Sequence, residues 1–214
     1  MASRIFTRVI APGILLVASA SAVQAQDRVE LAATVGFYSP MGSFRHDLPN
    51  SIDLPSSPSA LGGTALGGEL RVWIVSRMGV ALGGSTVASA VGGGVTPEAV
   101  RPSVRARVTM GSAQLLFRLS GEETRTRVWL SAGGGAIQHG GAAYAIFGKP
   151  VNYGGVVGLG SAFRIRKGLS VDLGLTTMIY NVDFRTTSIV DDGLRERGPQ
   201  WDMTLRTGLS YGWR

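Results

Sequence analysis

Arg206-Thr207-Gly208-Leu209-Ser210-Tyr211-Gly212-Trp213 is the stretch on which the fold turns. Leu209, Tyr211 and Trp213 fall on one side of a two-residue period, and Arg206, Gly208 and Ser210 on the other. That is the alternation of a β-strand and not of a helix. Reading back to Trp201 keeps the phase, with Met203 and Leu205 joining the apolar face and Asp202 and Thr204 the polar one. A strand that is apolar on one side and charged on the other needs a different neighbour for each side.

The same period recurs upstream over residues 29–38, 66–75, 80–90, 108–119, 127–137, 152–165 and 169–180, which with 201–213 makes eight segments. Most run to about ten residues or a little more, the length a tilted strand needs to cross a bilayer. The third is the weakest, being mostly Gly, Ala and Ser. Before the fourth, Val104, Ala106 and Val108 run in the opposite phase to Leu115 and Phe117, so a β-bulge near Gly111 or a later strand start is expected there. Connections alternate between long (39–64, 91–107, 138–151, 181–200) and short, which is the asymmetry of a barrel with long loops outside and short turns in the periplasm. Fold class is therefore all-β, an eight-stranded antiparallel up-and-down transmembrane barrel, with 31 glycines suited to strands that bend and pack closely.

The N-terminus supplies an address. Arg4 and Arg8 precede an apolar run over 9–18, and Val23-Gln24-Ala25 offers a small-residue cleavage site, so residues 1–25 are expected to be a cleaved signal peptide and 26–214 the barrel domain. The run is interrupted by Pro12 and Gly13 and falls short of the roughly 20 residues of a spanning helix. With no cysteine in the chain, neither a lipoprotein anchor nor a disulfide is expected. Loss of Arg4 and Arg8 lowers the formal charge from +7 to +5 (7 − 2). The remaining bases are spread along the chain instead of clustered, so nucleic acid is not an expected partner.

Placement of aromatic and charged residues fits the same picture. Phe37, Tyr153 and Trp201 fall at the extracellular ends of apolar faces, and Phe117, Phe163, Tyr211 and Trp213 at the periplasmic ends, as two aromatic girdles. The polar faces carry Glu30, Glu69, Asp172 and Asp202 with Arg71, Arg118, Arg127, Arg164 and Arg206. An eight-stranded barrel is only wide enough inside to be filled by side chains, so Glu30, Glu69, Arg71, Arg118, Arg127, Arg164, Asp172 and Arg206 are expected to meet as a buried structural network, with Trp73 and Trp129 filling space beside it. In addition, Arg206, Gly208, Tyr211 and Trp213 match the C-terminal insertion signal of bacterial outer-membrane barrels.

On these features the chain resembles the small eight-stranded outer-membrane barrels of the OmpA membrane-domain and OmpX type, over essentially the whole mature length. It departs from them in placing Arg214 after the last aromatic. The resemblance implies an outer-membrane location, lipid including lipopolysaccharide and the barrel-insertion machinery as partners, and a role in structural support of the envelope or in surface interaction through the loops.

No enzymatic activity, cofactor or metal is expected. His46 and His139 are the only histidines, both fall in predicted loops, and neither sits in a His-x-Ser or His-x-x-x-His arrangement. His46-Asp47 near Ser43 reads as a solvated turn, and Gly148-Lys149-Pro150 lacks the first glycine and the Ser or Thr of a phosphate loop. The mixed charges of loop two (Glu98, Arg101, Arg105, Arg107) and loop four (Arg185, Asp191, Asp192, Arg195, Glu196, Arg197) read as solvated tips, with contact from loop arginines to lipopolysaccharide phosphates as the other reading. Two further classes stay open. A soluble periplasmic or secreted barrel binding an apolar ligand needs the faces reversed, with Arg118, Arg164 and Arg206 in solvent; a narrow pore needs a lumen that is not filled.

Overall fold

A computed structural model describes residues 28–41, 59–60, 62–92, 95–96, 99–100, 104–120, 124–142, 151–185 and 195–213. The expected signal peptide, His46 with Asp47 and Ser43, residues 148–150, Glu98, Arg101 and the acidic pair Asp191 and Asp192 lie outside them. Eight long strands carry the fold: β1 (Arg28–Pro40), β2 (Gly63–Trp73), β3 (Met78–Gly92), β4 (Val104–Arg118), β5 (Thr126–Gly140), β6 (Val151–Arg166), β7 (Leu169–Arg185) and β8 (Arg195–Trp213). Each pairs antiparallel with the next, and β8 returns to β1, with Val29 opposite Trp213, to close the barrel. Two short pieces join at the rim: Ser59–Ala60 pairs with the end of β3, and Val95–Thr96 pairs with Ala99–Val100.

The stagger follows from the register. Stepping sideways from Phe117 on β4, successive partners are Leu130, Leu159, Leu175, Leu205, Phe37, Thr64 and Ala88, and the circuit returns to β4 at Arg107. The shear is therefore ten residues (117 − 107), and strands so staggered tilt by roughly 35–45° to the barrel axis.

The period-two pattern becomes inside and outside. Along β1, Glu30, Ala32 and Tyr38 are buried, while Leu31, Val35 and Phe37 are exposed; along β2, Glu69, Arg71 and Trp73 are buried and Leu66 and Leu70 exposed. Leu115, Leu130, Leu159, Leu173, Leu205 and Leu209 continue the apolar exterior around the wall. Among the described residues 28 large apolar side chains are exposed. Leaving each partly in water costs on the order of 1 kcal/mol. Their sum exceeds the roughly 5–15 kcal/mol by which folded domains are stable, so this surface belongs in a bilayer. The inside-out arrangement of a soluble ligand-binding barrel is not the one the chain adopts.

Turns at the periplasmic end are short. Ile74 and Val75 both donate to the carbonyl of Met78, at 3.0 and 3.1 Å. Between β6 and β7, Gly168 takes φ +80°, a conformation that strains any other L-residue, and its carbonyl accepts from the amide of Gly212 at 2.7 Å.

Two expectations change. No bulge interrupts β4: its register with β3 runs unbroken from Val91–Val104 to Met78–Phe117. Ala106 and Val108 are buried and face the lumen, because the lumen itself turns apolar towards the extracellular end. The expected fourth loop over 181–200 is largely strand, since β7 and β8 stay paired as far as Arg185–Arg195. Pro199 sits in this ribbon where β8 has lost its other partner, the pairing with β1 ending at Pro40–Asp202. Proline is tolerated on such an edge because no ladder hydrogen bond is needed from it.

Candidate functional site

Lumen chemistry is built from every second residue of the wall, and large residues sit opposite small ones. Trp73 is in register with Gly79, Trp129 with Gly160, and Arg206 with Gly174. A Cβ on Gly160 would collide with the Trp129 indole, and one on Gly174 would lie 2.8 Å from Arg206 Nε. These glycines create the room that lets bulky groups lie across so narrow an interior.

At the periplasmic half the charges meet. Arg71 sits among three carboxylates: its Nε is 2.9 Å from Glu69 Oε1, its Nη1 3.3 Å from Glu30 Oε2, and its Nη2 pairs with Asp172 across the barrel. Arg127 pairs with Glu30 from the opposite wall, and Arg206 Nη2 donates to Glu69 Oε2 at 2.6 Å. Ser210 Oγ donates to Asp172 at 2.9 Å. Three guanidinium groups thus balance three carboxylates, and the pairs tie together β1, β2, β5, β7 and β8. Buried ions are tolerated only when compensated in this way, because each costs several kcal/mol to dehydrate. Aromatic rings cover the network. The Arg71 guanidinium lies 4.8 Å from the Trp129 ring centroid and that of Arg118 4.2 Å from Trp73, while the two indoles meet edge to face at 6.3 Å.

The extracellular half is different. Tyr38, Ala65, Val87, Ala106, Val108, Ile137, Val156, Met178, Tyr180 and Val182 form one buried apolar cluster. Inside it the Asp202 carboxylate accepts hydrogen bonds from the hydroxyls of Tyr38 and Tyr180, both at 2.7 Å, and Tyr180 Oη lies 3.4 Å from His139 Nε2. Between the halves lies a cavity of about 60 Å³, bordered by Gly36, Gly67, Ser85, Ser112, Gln114 and Thr204. That is room for a few water molecules and not for a drug-sized ligand.

No family model matches the chain, and no curated protein matches it. Solved structures do. The outer membrane protein OprG from Pseudomonas aeruginosa aligns with a TM-score of 0.62 and 11% identity over 88% of this chain and 96% of that one. AlkL, determined in lipid bilayers, aligns at 0.58 and 13% over 89% and 91%, and E. coli Outer Membrane Protein W at 0.52 and 12% over 89% and 100%. By fold the chain is a closed eight-stranded antiparallel barrel, similar to these small outer-membrane proteins. At these identities the likeness is one of fold, and the barrel's chemistry has to be read from its own residues.

Of the charged residues singled out in the sequence, Glu30, Glu69, Arg71, Arg127, Asp172 and Arg206 come together in this barrel, and Arg118 joins them through Trp73. Arg164 stands apart. It is half-buried, in register with Ser170 beside the last periplasmic turn, and its backbone amide donates to the carbonyl of Arg125 at 2.9 Å. It lies below the level at which the other side chains converge. All seven girdle aromatics, Phe37, Phe117, Tyr153, Phe163, Trp201, Tyr211 and Trp213, are exposed on the outer face, and Tyr211 and Trp213 stack at 6.2 Å. Within the terminal motif Arg206 and Gly208 turn inward while Tyr211 and Trp213 face out.

His139, expected in a loop, is on β5 opposite Val108 and fully buried in the lumen. β5 continues beyond Ile137 to Gly140, and the His139 side chain keeps its inward phase. The sequence sets Asp202 on the polar face but does not join it to Tyr38 and Tyr180. A signal for the join was present: Tyr38 and Tyr180 share the polar phase with Glu30 and Asp172 on their own strands. Arg105 and Arg107, expected in loop two, are on β4 and face outward.

Proposed function

We propose that this barrel is a non-enzymatic outer-membrane protein that anchors its extracellular ribbons and loops at the cell surface, supporting the envelope and making its contacts there and not through an open pore. One observation carries the reading: the lumen is filled twice over, by the compensated Arg71 network at one end and by the Tyr38 to Val182 cluster at the other. What the fold presents to the outside is therefore its rim, where β7 and β8 continue as a ribbon to Arg185–Arg195. Its proposed partners are the lipid around it, including lipopolysaccharide, and the barrel-insertion machinery acting on Arg206 to Trp213; no cofactor or metal is assigned.

Proteoliposomes loaded with a small hydrophilic dye, together with single-channel recording in planar bilayers, test this directly. Wild-type protein should release dye no faster than empty vesicles and show no unitary conductance steps. Regular steps from the wild type would establish the narrow pore instead.

A further inference from the structure

The outer wall of β3, β4 and β5 departs from the apolar coat of the rest of the barrel. Arg105 and Arg107 are both exposed on the outward face of β4, two residues and so roughly 7 Å apart. Neighbours of Arg107 across the sheet are Ala88 on β3 and Gly140 on β5, so neither of its paired residues is tall beside the guanidinium. No carboxylate among the described residues forms an ion pair with either arginine. One rung lower the outward residues are Thr86, Thr109 and Gln138, all hydrogen-bond donors and acceptors. An open recess runs between the arginines, Ala88, Thr109, Gln138 and Gly140.

Height follows from the stagger. Arg107 lies ten residues above Phe117 on the same strand (117 − 107). At about 3.3 Å per residue and a tilt near 40°, that is roughly 25 Å along the membrane normal, the height of the apolar band of such barrels. With Phe117 at the periplasmic girdle, Arg107 stands at the outer edge of the hydrocarbon, and Arg105 one step above it among the headgroups. Below the arginines the wall is bare: Gly84, Gly111 and Ala136 form one outward row, and Ala113, Gly134 and Gly155 the next. They make a shallow trough leading from the cations into the membrane.

We infer that this wall binds a phosphorylated lipid of the outer leaflet, with its phosphate held by Arg105 and Arg107 and an acyl chain lying in the trough beneath. The inference rests on reading the chain as an outer-membrane barrel. Two guanidinium forks on one face suit a phosphate, whose oxygens accept paired hydrogen bonds. Thr109 and Gln138 can serve the polar groups next to it, and the missing side chains below leave an acyl chain in contact with the sheet itself. The charge above and the recess below match the two ends of one anionic lipid.

The test uses the folded full-length barrel in phosphatidylethanolamine nanodiscs doped with bisphosphorylated or monophosphorylated lipid A, with retained lipid read by native mass spectrometry. Wild type should retain the bisphosphorylated form preferentially, and Arg105→Ala with Arg107→Ala should lower that retention by roughly tenfold or more. Gly111→Leu fills the trough without altering charge. Its Cβ would meet nothing nearer than the Gly83 carbonyl at 4.0 Å, so the variant should fold, and it too should lose lipid. Equal retention by wild type and the double arginine variant would overturn the proposal. So would loss of chemically cross-linked dimers in Gly111→Leu with lipid retention unchanged, which would make the trough the seat of a second copy. A heat-dependent mobility shift of each variant reports its folding. Wild type in the soluble fraction would defeat the barrel reading itself, whereas a membrane barrel without lipid preference defeats only this inference.

Discussion

The two halves of the lumen solve one packing problem with opposite chemistry. Both lie within the same eight strands and both are filled to exclusion of bulk water. Towards the periplasm the filling is three arginines paired with three carboxylates, with Arg118 against Trp73 and Trp129 over Arg71; towards the outside it is aliphatic and aromatic, with one carboxylate held by two tyrosines. The difference lies in what each half tolerates losing. An apolar cluster that loses a side chain keeps a smaller cluster and a cavity. A balanced ion network that loses one member keeps a buried charge, and that residue of charge is what destabilises it most.

Arg71→Met should therefore show the largest effect, since it leaves Glu30, Glu69 and Asp172 to share what remains of Arg127 and Arg206. We expect a loss of about 3–5 kcal/mol, read as a lower urea midpoint for the barrel refolded in lipid vesicles and followed by tryptophan fluorescence. A loss below about 1 kcal/mol would mean that the two halves are energetically alike and that water already screens the network.

Asp202 sharpens the contrast from the other side. Asp202→Asn keeps an acceptor for Tyr38 and Tyr180 and should change stability by less than about 1 kcal/mol, whereas Asp202→Ala takes the shared acceptor away from two buried hydroxyls and should cost about 2–3 kcal/mol. If Asn were as damaging as Ala, the charge and not the hydrogen bonding would matter here, as it does below. The smallest effect belongs to Arg164, which shares the lumen phase but not the network. Arg164→Ala should fall within about 0.5 kcal/mol of wild type in the same unfolding assay.

These same regions separate what was legible in the sequence from what was not. Strand number, the alternation of Leu31 to Phe37 against Glu30 and Ala32, and the inward direction of Arg71, Arg127 and Asp172 all follow from a period of two, because a sheet with lipid on one side has to alternate. The same rule, with apolar meaning lipid, fails in the upper lumen. Val108 and Ile137 are both apolar and both inside, so β4 looked out of phase and its start looked like loop. His139 was misplaced for a related reason: a polar residue after the last lipid-facing one carries no mark of strand or loop until its partner Val108 is known. Strand ends at 181–185 and 195–200 were illegible because above the membrane the outer face is wet, and the alternation that marks a strand fades while the backbone pairing goes on. The convergence of Glu69 with Arg206, 137 residues apart (206 − 69), is a matter of barrel closure and shear, which no local pattern encodes.

The β1–β8 seam has a kinetic consequence. Val29 and Trp213, which face each other across it, are separated by 184 positions (213 − 29), so the pairing that shuts the barrel joins the two ends of the folded chain. Every other strand pair can form as a hairpin or its neighbour, at modest loop-closure entropy. This one waits for all of them, and until it forms both edges stand open to strands of other chains. Folding should thus be slow and set by the topology, and the time the unclosed sheet spends exposed is the interval in which the protein is most vulnerable to misassembly.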